Sequence, residues 1–310
     1  MSVATPPSHT LTPEVGPTLD TLRTALALQR HQEWVSGPVE AIPGALAGVG
    51  FSLVGAVVQP DYTGGRAYVA VRGPQAVVAF RGSGGDSVDQ TMLNVLADAK
   101  VRRVVPFELA GKDASVKVHQ GFYETWLAFR HELAQRLRAL TAPEVYVTGF
   151  SMGSALATLC ALDVALQGRA KVTFHGAGTP RVGNRAFGDR MAQQVPQALR
   201  TVLNSDPVAR VPLQTTTNRR FRHVGALLEL DADGAPVPLE QITGRLMDCP
   251  AIKDHDRERY RHMLERIIER FSANPRVLHE RWGEDPLTRA AVVERHEAGG
   301  ESVYDADDGD

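Results

Sequence analysis

Residues 149–153 read Gly-Phe-Ser-Met-Gly, and they stand between two segments of opposite character. Before them, 144–148 is EVYVT, rich in β-branched and aromatic residues; after them, 154–166 is SALATLCALDVAL, a run of strong helix formers. A strand can turn into a helix within one residue only where neighbouring side chains are missing, and a glycine two positions to either side of the serine meets that need. Such a turn presents the serine hydroxyl at the end of the strand. It also aims the helix's free N–H groups and positive dipole end at any negative charge forming there. The pattern marks Ser151 as a candidate nucleophile; a serine that only caps the helix is the alternative. Gly50-Phe51-Ser52-Leu53-Val54 looks similar but lacks the second glycine and a following helix, and is read as structural.

The rest of the chain supports a sheet with a parallel portion covered by helices. Residues 1–16, with Pro6, Pro7 and Pro13, read as a loose arm, and 18–30 as a helix with Leu19, Leu22 and Leu26 on one face. The runs 51–58, 66–73 and 75–82 are β-rich and separated by turn signals, which predicts an antiparallel meander. Beyond residue 120 the periods alternate: helix 123–140, strand 145–148, helix 151–166, strands 171–175 and 200–204. Asp233-Gly234 predicts a hairpin between 224–230 and 235–239, and 256–271 is an amphipathic helix with Tyr260, Leu264, Ile267 and Phe271 inward. The acidic segment from Glu297 onward reads as a solvated, disordered tail. The organisation expected is an arm and helix over 1–40, one α/β domain over 41–275, and a C-terminal extension over 276–310.

Composition narrows the function classes. Lys plus Arg number 34 against 36 Asp plus Glu, a net charge of −2, so the strongly basic face of a general nucleic-acid binder is not expected. Two cysteines, Cys160 and Cys249, cannot build a disulfide framework or a four-cysteine zinc site. Residues 41–58 carry no charge, but Pro43 and several glycines dilute the run, so it is read as a Gly-rich loop entering a buried strand rather than a membrane span. The first thirty residues lack the basic start and apolar stretch of a secretory signal, which leaves a cytoplasmic protein, or one exported without a cleaved signal, as the expectation.

A serine hydroxyl needs a base, and the base needs an acid to orient it. Asp206 follows the strand 200–204, at the sheet edge where the elbow lies, and His255 lies in the loop entering the last long helix. The order Ser, Asp, His is that of α/β-hydrolase-like enzymes. His223 also follows Asp206 and is the rival base; His119 and His175 precede it and break the order. No His/Cys/Asp spacing matches a metal site and no glycine loop matches a phosphate site, so no cofactor is expected.

The motifs VVAFRGS (77–83), VHQGFYETW (118–126), VTGFSMGSALA (147–157), GTPRVGN (178–184), NSDPVARVP (204–212) and FRHVG (221–225) occur in the order seen in the lipase class 3 family. From about residue 50 to about residue 265 the chain resembles that fungal-lipase-like branch of the α/β-hydrolases. The resemblance implies an α/β-hydrolase fold, a mixed and mostly parallel sheet flanked by helices. It implies Ser151, Asp206 and His255 as the triad, with Ser83 and the backbone N–H of Met152 as the oxyanion hole. His223 and His119 match structural histidines of the family. The elbow departs from the usual G-H-S-L-G-G at three positions, Phe150, Met152 and Ser154, which bears on acyl-pocket shape and efficiency more than on reaction type.

The activity so implied is hydrolysis of carboxylic esters through an acyl-enzyme, on acylglycerols or phospholipid acyl chains, with a lipid or small ester as partner. An acyltransferase or thioesterase using the same triad, and a non-catalytic binding protein on the same fold, are the alternatives. Residues 84–96 match the family's lid position, and Val88, Met92, Val95 and Leu96 recur at helical spacing. A lid that touches a lipid interface and a fixed core-facing helix both fit that pattern.

Overall fold

The computed structural model describes residues 19–60, 63–82, 104–107, 113–203, 206–212, 221–230 and 254–273. Its strands are β1 (Ser52–Leu53), β2 (Arg66–Arg72), β3 (Gln75–Arg81), β4 (Val104–Pro106), β5 (Lys117–His119), β6 (Glu144–Phe150), β7 (Lys171–Ala177), β8 (Gln197–Leu203) and β9 (Ala226–Leu230). The helices are α1 (Leu19–Ser36), α2 (Ile42–Ala47), α3 (Gln120–Arg138), α4 (Met152–Leu166), α5 (Arg185–Gln194) and α6 (Arg257–Ala273).

Among the described residues one seven-stranded sheet runs in the order β1-β2-β3-β6-β7-β8-β9. The first three strands form the expected antiparallel meander, and β3, β6, β7, β8 and β9 run parallel. Parallel strands need long crossovers, and helices supply them: α3 precedes β6, α4 links β6 to β7, and α5 links β7 to β8. This is an α/β-hydrolase fold, with the ends of β6, β7 and β8 opening on one edge.

The alternation along each strand sorts the core onto two faces. On one, Val78 and Phe80 of β3, Val145 and Val147 of β6 and Phe174 of β7 meet Trp126 and Phe129 of α3 and nearly the whole surface of α4. Helix α4 is buried on all sides because its sequence is small or apolar nearly throughout; its one charge, Asp163, is paired with Arg130 of α3 at 2.8 Å. Helix α3 starts where the imidazole of His119 accepts the Phe122 N–H and ends with Arg136 and Arg138 in its last turn, where cations complement the dipole.

The other face is covered by α1 and α6. Leu22 and Ala25 of α1 join Tyr260, Leu264 and Ile267 of α6 over Leu199 and Leu228, and Arg261 of α6 meets Glu33 of α1 at 2.6 Å. Under α1 lies a polar row, because Tyr68, Ala79, Thr148 and His175 are register partners across β2, β3, β6 and β7. His31 bonds the Tyr68 hydroxyl (2.8 Å), Gln32 donates to Thr148 Oγ1 (2.7 Å), and His175 Nε2 meets Thr201 Oγ1 (3.0 Å).

Some expectations change. Residues 41–58 do not form a loop entering a strand: Pro43 opens the helix α2, and only Ser52–Leu53 pair as a strand. Gly55, at φ +69°, stops that strand, and Val58 returns only as a single bridge to Ala67. Helix α5, with Asn184 accepting the Phe187 N–H at 3.0 Å, is an element the apolar period did not signal. No helix among the described residues is long and apolar enough to cross a membrane. The lid segment 84–96, the 233–234 turn, the arm, the acidic tail and Cys249 lie outside the described residues.

Candidate active site

The elbow is built by close approach of backbone. A Cβ on Gly149 would lie 2.2 Å from the Gly153 carbonyl oxygen, and one on Gly153 would lie 2.5 Å from the Phe80 carbonyl oxygen and 2.8 Å from Gly82 N. Both motif glycines are therefore demanded by contact with main chain that cannot swing away. Between them Ser151 sits at φ 59°, ψ −130°, and among the described residues no other non-glycine has positive φ. Its N–H donates to Ala177 O of the adjacent strand (3.0 Å), and its carbonyl accepts from Ser154 N (2.9 Å). The capping alternative fails, since the Ser151 side chain makes no capping bond to the helix. Met152, half-buried, opens α4, so its N–H has no carbonyl a full turn earlier in the helix to pair with. Ser83 lies outside the described residues; the residue before it, Gly82, has its Cβ position 3.1 Å from Phe150 O and 3.5 Å from Ser151 Cβ, so β3 leaves the sheet beside the elbow.

Asp206 and His255 come together at the same edge. The carboxylate is fully buried and accepts from His255 Nδ1 at 2.7 Å, from the Tyr260 hydroxyl at 2.5 Å and from Val208 N at 2.8 Å. Burial pushes the carboxyl upward, but the His255 charge, its hydrogen bond and the donors from Tyr260 and Val208 outweigh it and hold Asp206 below the ordinary range. Tyr260 is driven the opposite way, by burial first and by the carboxylate second, and stays a phenol. His255 Nε2, on the far side of the ring, is buried and makes no hydrogen bond among the described residues, with Ser151 included.

Two contacts nonetheless tie the imidazole to the elbow. Phe150, next to Ser151, stacks on the His255 ring with centroids 4.5 Å apart and planes at 27°, and meets Tyr260 edge-on at 5.6 Å. Gly178, one residue beyond the Ala177 that holds Ser151 N, lies against the imidazole edge: a Cβ there would be 2.9 Å from His255 Cε1 and 3.0 Å from Asp206 Oδ2. Its φ of +57° suits glycine as well. The Ser154 departure also has a local account, because its hydroxyl pairs with Thr179 Oγ1 at 2.7 Å in space left open by Gly176, where a Cβ would come within 2.1 Å of Ser154 Oγ.

The rival histidines sit elsewhere. His223 is held well below its ordinary range by burial and by the charges of Arg200, Arg181 and Arg210, a cationic setting that opposes protonation. His119 caps α3 and His175 bonds Thr201; burial lowers them to about 4 and about 3. Sequence reasoning did not connect Tyr260 to Asp206 or Phe150 to His255. The available signal was a tyrosine on the inner face of α6, whose buried hydroxyl must find an acceptor.

Comparison with known proteins fits this geometry. Residues 77–216 match the model of the lipase (class 3) family. The chain is 31% identical over 170 residues to a secreted mono- and diacylglycerol lipase A of Penicillium cyclopium, covering 51% of this chain and 52% of that one. It is 30% identical over 189 residues to phospholipase A1 EG1 of Oryza sativa subsp. indica, covering 50% and 42%. It thus spans about half the length of these relatives. Among solved structures, a lipase from Rhizopus microsporus var. chinensis superposes with a TM-score of 0.60 at 20% identity, over 78% of this chain and 88% of that one. Residues 77–216 are thus similar to the lipase (class 3) family, and the chain around them has the α/β-hydrolase fold.

Proposed function

We propose that the protein is a serine carboxylic-ester hydrolase that works through an acyl-enzyme on acylglycerols or phospholipid acyl esters. The observation that carries this reading is the strained elbow serine at the start of α4, on the same sheet edge as a buried Asp206–His255 pair whose imidazole keeps Nε2 uncommitted. In the reaction, the Ser151 oxygen attacks the ester carbonyl carbon while its proton passes to His255 Nε2. The carbonyl electron pair moves onto oxygen, and Asp206 keeps the second ring nitrogen protonated and oriented. Collapse expels the alcohol, which takes the proton from His255; water then repeats the sequence and frees the acid. Backbone N–H groups of Ser83 and Met152 serve as oxyanion donors, each worth about 3 kcal/mol in the transition state. The Nε2 to Ser151 hydrogen bond forms when substrate is seated, as such contacts commonly tighten on binding.

The hydrolase unit in this reading is 41–275, flanked by an N-terminal arm and helix over 1–40 and an extension over 276–310. A lid near 84–96 that contacts a lipid interface belongs to the same reading, and a rise in rate once a short-chain ester passes its solubility limit would support it.

Labelling with a fluorophosphonate, with the adduct mapped by mass spectrometry and p-nitrophenyl esters assayed alongside, tests the core of the proposal. The expected result is an adduct on Ser151, ester turnover, and loss of turnover by on the order of 10⁴-fold or more in Ser151→Ala. Unchanged turnover in that variant overturns the assignment.

A further inference from the structure

We propose that the ring of Phe150 is the platform on which His255 bears its positive charge during turnover, which makes Phe150 a positioning residue that acts on the reaction through the imidazole. This rests on the esterase reading above. The two rings lie nearly parallel with centroids 4.5 Å apart, well within the range at which an aromatic face attracts a cation. A neutral imidazole gains little electrostatically from such a face. The imidazolium created when the serine proton reaches Nε2 gains more, because the ring quadrupole presents its negative face to it. An interaction that strengthens only as the proton arrives lowers the barrier without tightening substrate binding, so it belongs to kcat and leaves KM alone.

The surroundings hold the two rings in this relation. Phe150 is the last residue of β6 and points to the face covered by α1 and α6, the side from which His255 enters. Its edge is fixed by Tyr260 at 5.6 Å, while Gly178 closes the Cε1 edge of the imidazole and Asp206 holds Nδ1. The titratable groups facing His255 among the described residues are Asp206 and Tyr260; Asp254, next to it in the chain, is engaged by Arg259 at 2.8 Å. Beyond the Asp206 carboxylate, the Phe150 face adds negative potential against the imidazole.

The test replaces Phe150 in the full-length protein with mono-, tri- and pentafluorophenylalanine by nonsense suppression. These analogues keep the shape of the ring and progressively cancel its quadrupole. With p-nitrophenyl butyrate as substrate, log kcat is expected to fall in step with fluorine number, to about a tenfold loss for the pentafluoro ring. KM should stay within about twofold and the thermal midpoint should not follow the series. Phe150→Leu, which has no aromatic face, should lose about as much as the pentafluoro variant. A series flat in kcat, or one in which kcat tracks the thermal midpoint, overturns the role of the ring. If the unmodified protein labels at Ser151 and turns over ester while the series is flat, only this inference fails. If it neither labels nor turns over, the esterase reading fails and takes this inference with it.

Discussion

Asp206 is a carboxylate that burial alone would make costly to ionise, and Tyr260 supplies one of the three hydrogen bonds that reverse the balance. Tyr260→Phe removes that donor, and with it the acceptor of the Leu203 backbone, while the ring still packs in the cluster over Leu199 and Leu228. The expected outcome is a fall in kcat/KM of about tenfold or more, the lower end of the ~1.5–3 kcal/mol of one hydrogen bond to a charged group. Steady-state ester kinetics would measure it, and an unchanged kcat/KM would mean that Tyr260 does not help hold the acid. At this scale legibility in the sequence is uneven, and for a physical reason. Ser151 could be read because its constraint is local: two glycines, a strand before and a helix after. Asp206 and His255 are 49 residues apart and could be picked only by chain order and resemblance. Phe150 and Tyr260 could not be assigned partners at all, since a stack or a buried hydroxyl bond exists only after two distant segments have docked.

Helix α4 carries the elbow at one end and a buried carboxylate near the other. Asp163 is almost inaccessible, and the Arg130 side chain that neutralises it is about one-third exposed, so water screens the pair only in part. Arg130→Met leaves a buried charge unpaired and should lower unfolding free energy by about 2 kcal/mol, discounted from the larger cost of a fully buried pair. The double variant Arg130→Met/Asp163→Leu should recover most of that loss. Urea titration would check both, and a double variant no better than the single one would locate the defect in packing instead. Elements with a strong period were legible: β2 and β3 as β-branched runs, α4 as an Ala/Leu run, α6 as an amphipathic helix. Helix α5 escaped because Arg185, Asp189 and Arg190 mask the pair Phe187 and Met191 that it buries. Strand β1 was overestimated because β-branched residues on both sides of Gly55 suggested a continuity that its positive φ forbids.

At the scale of the whole molecule, burial keeps four of the described histidines neutral: it lowers His31 and His175 to about 3, His119 to about 4 and His223 well below its ordinary range, against 6.5 for the free side chain. For His31 the Arg72 charge adds to burial, and for His119 burial prevails over Glu124. The unfolded chain therefore takes up protons below about pH 6.5 that the folded one refuses until pH 3–4, so stability falls as pH drops through that window and is level above it. Each histidine contributes a slope of up to ~1.4 kcal/mol per pH unit. Urea unfolding should show little change from pH 8 to 7 and a loss of at least ~2 kcal/mol between pH 6.5 and 5. A level profile across that interval would argue against their burial as neutral rings. The junction of α1 with α6 has a consequence of another kind. The helix that carries Tyr260 and follows directly from His255 is seated on the first described helix of the chain, through Leu22, Ala25 and the Glu33–Arg261 bridge. His255 is thus moored to a helix more than 200 residues earlier in the sequence. On the proposed reading, a cut or an intrusive fusion that unseats α1 would silence Ser151 from a distance, leaving the elbow, the sheet, Asp206 and His255 chemically intact.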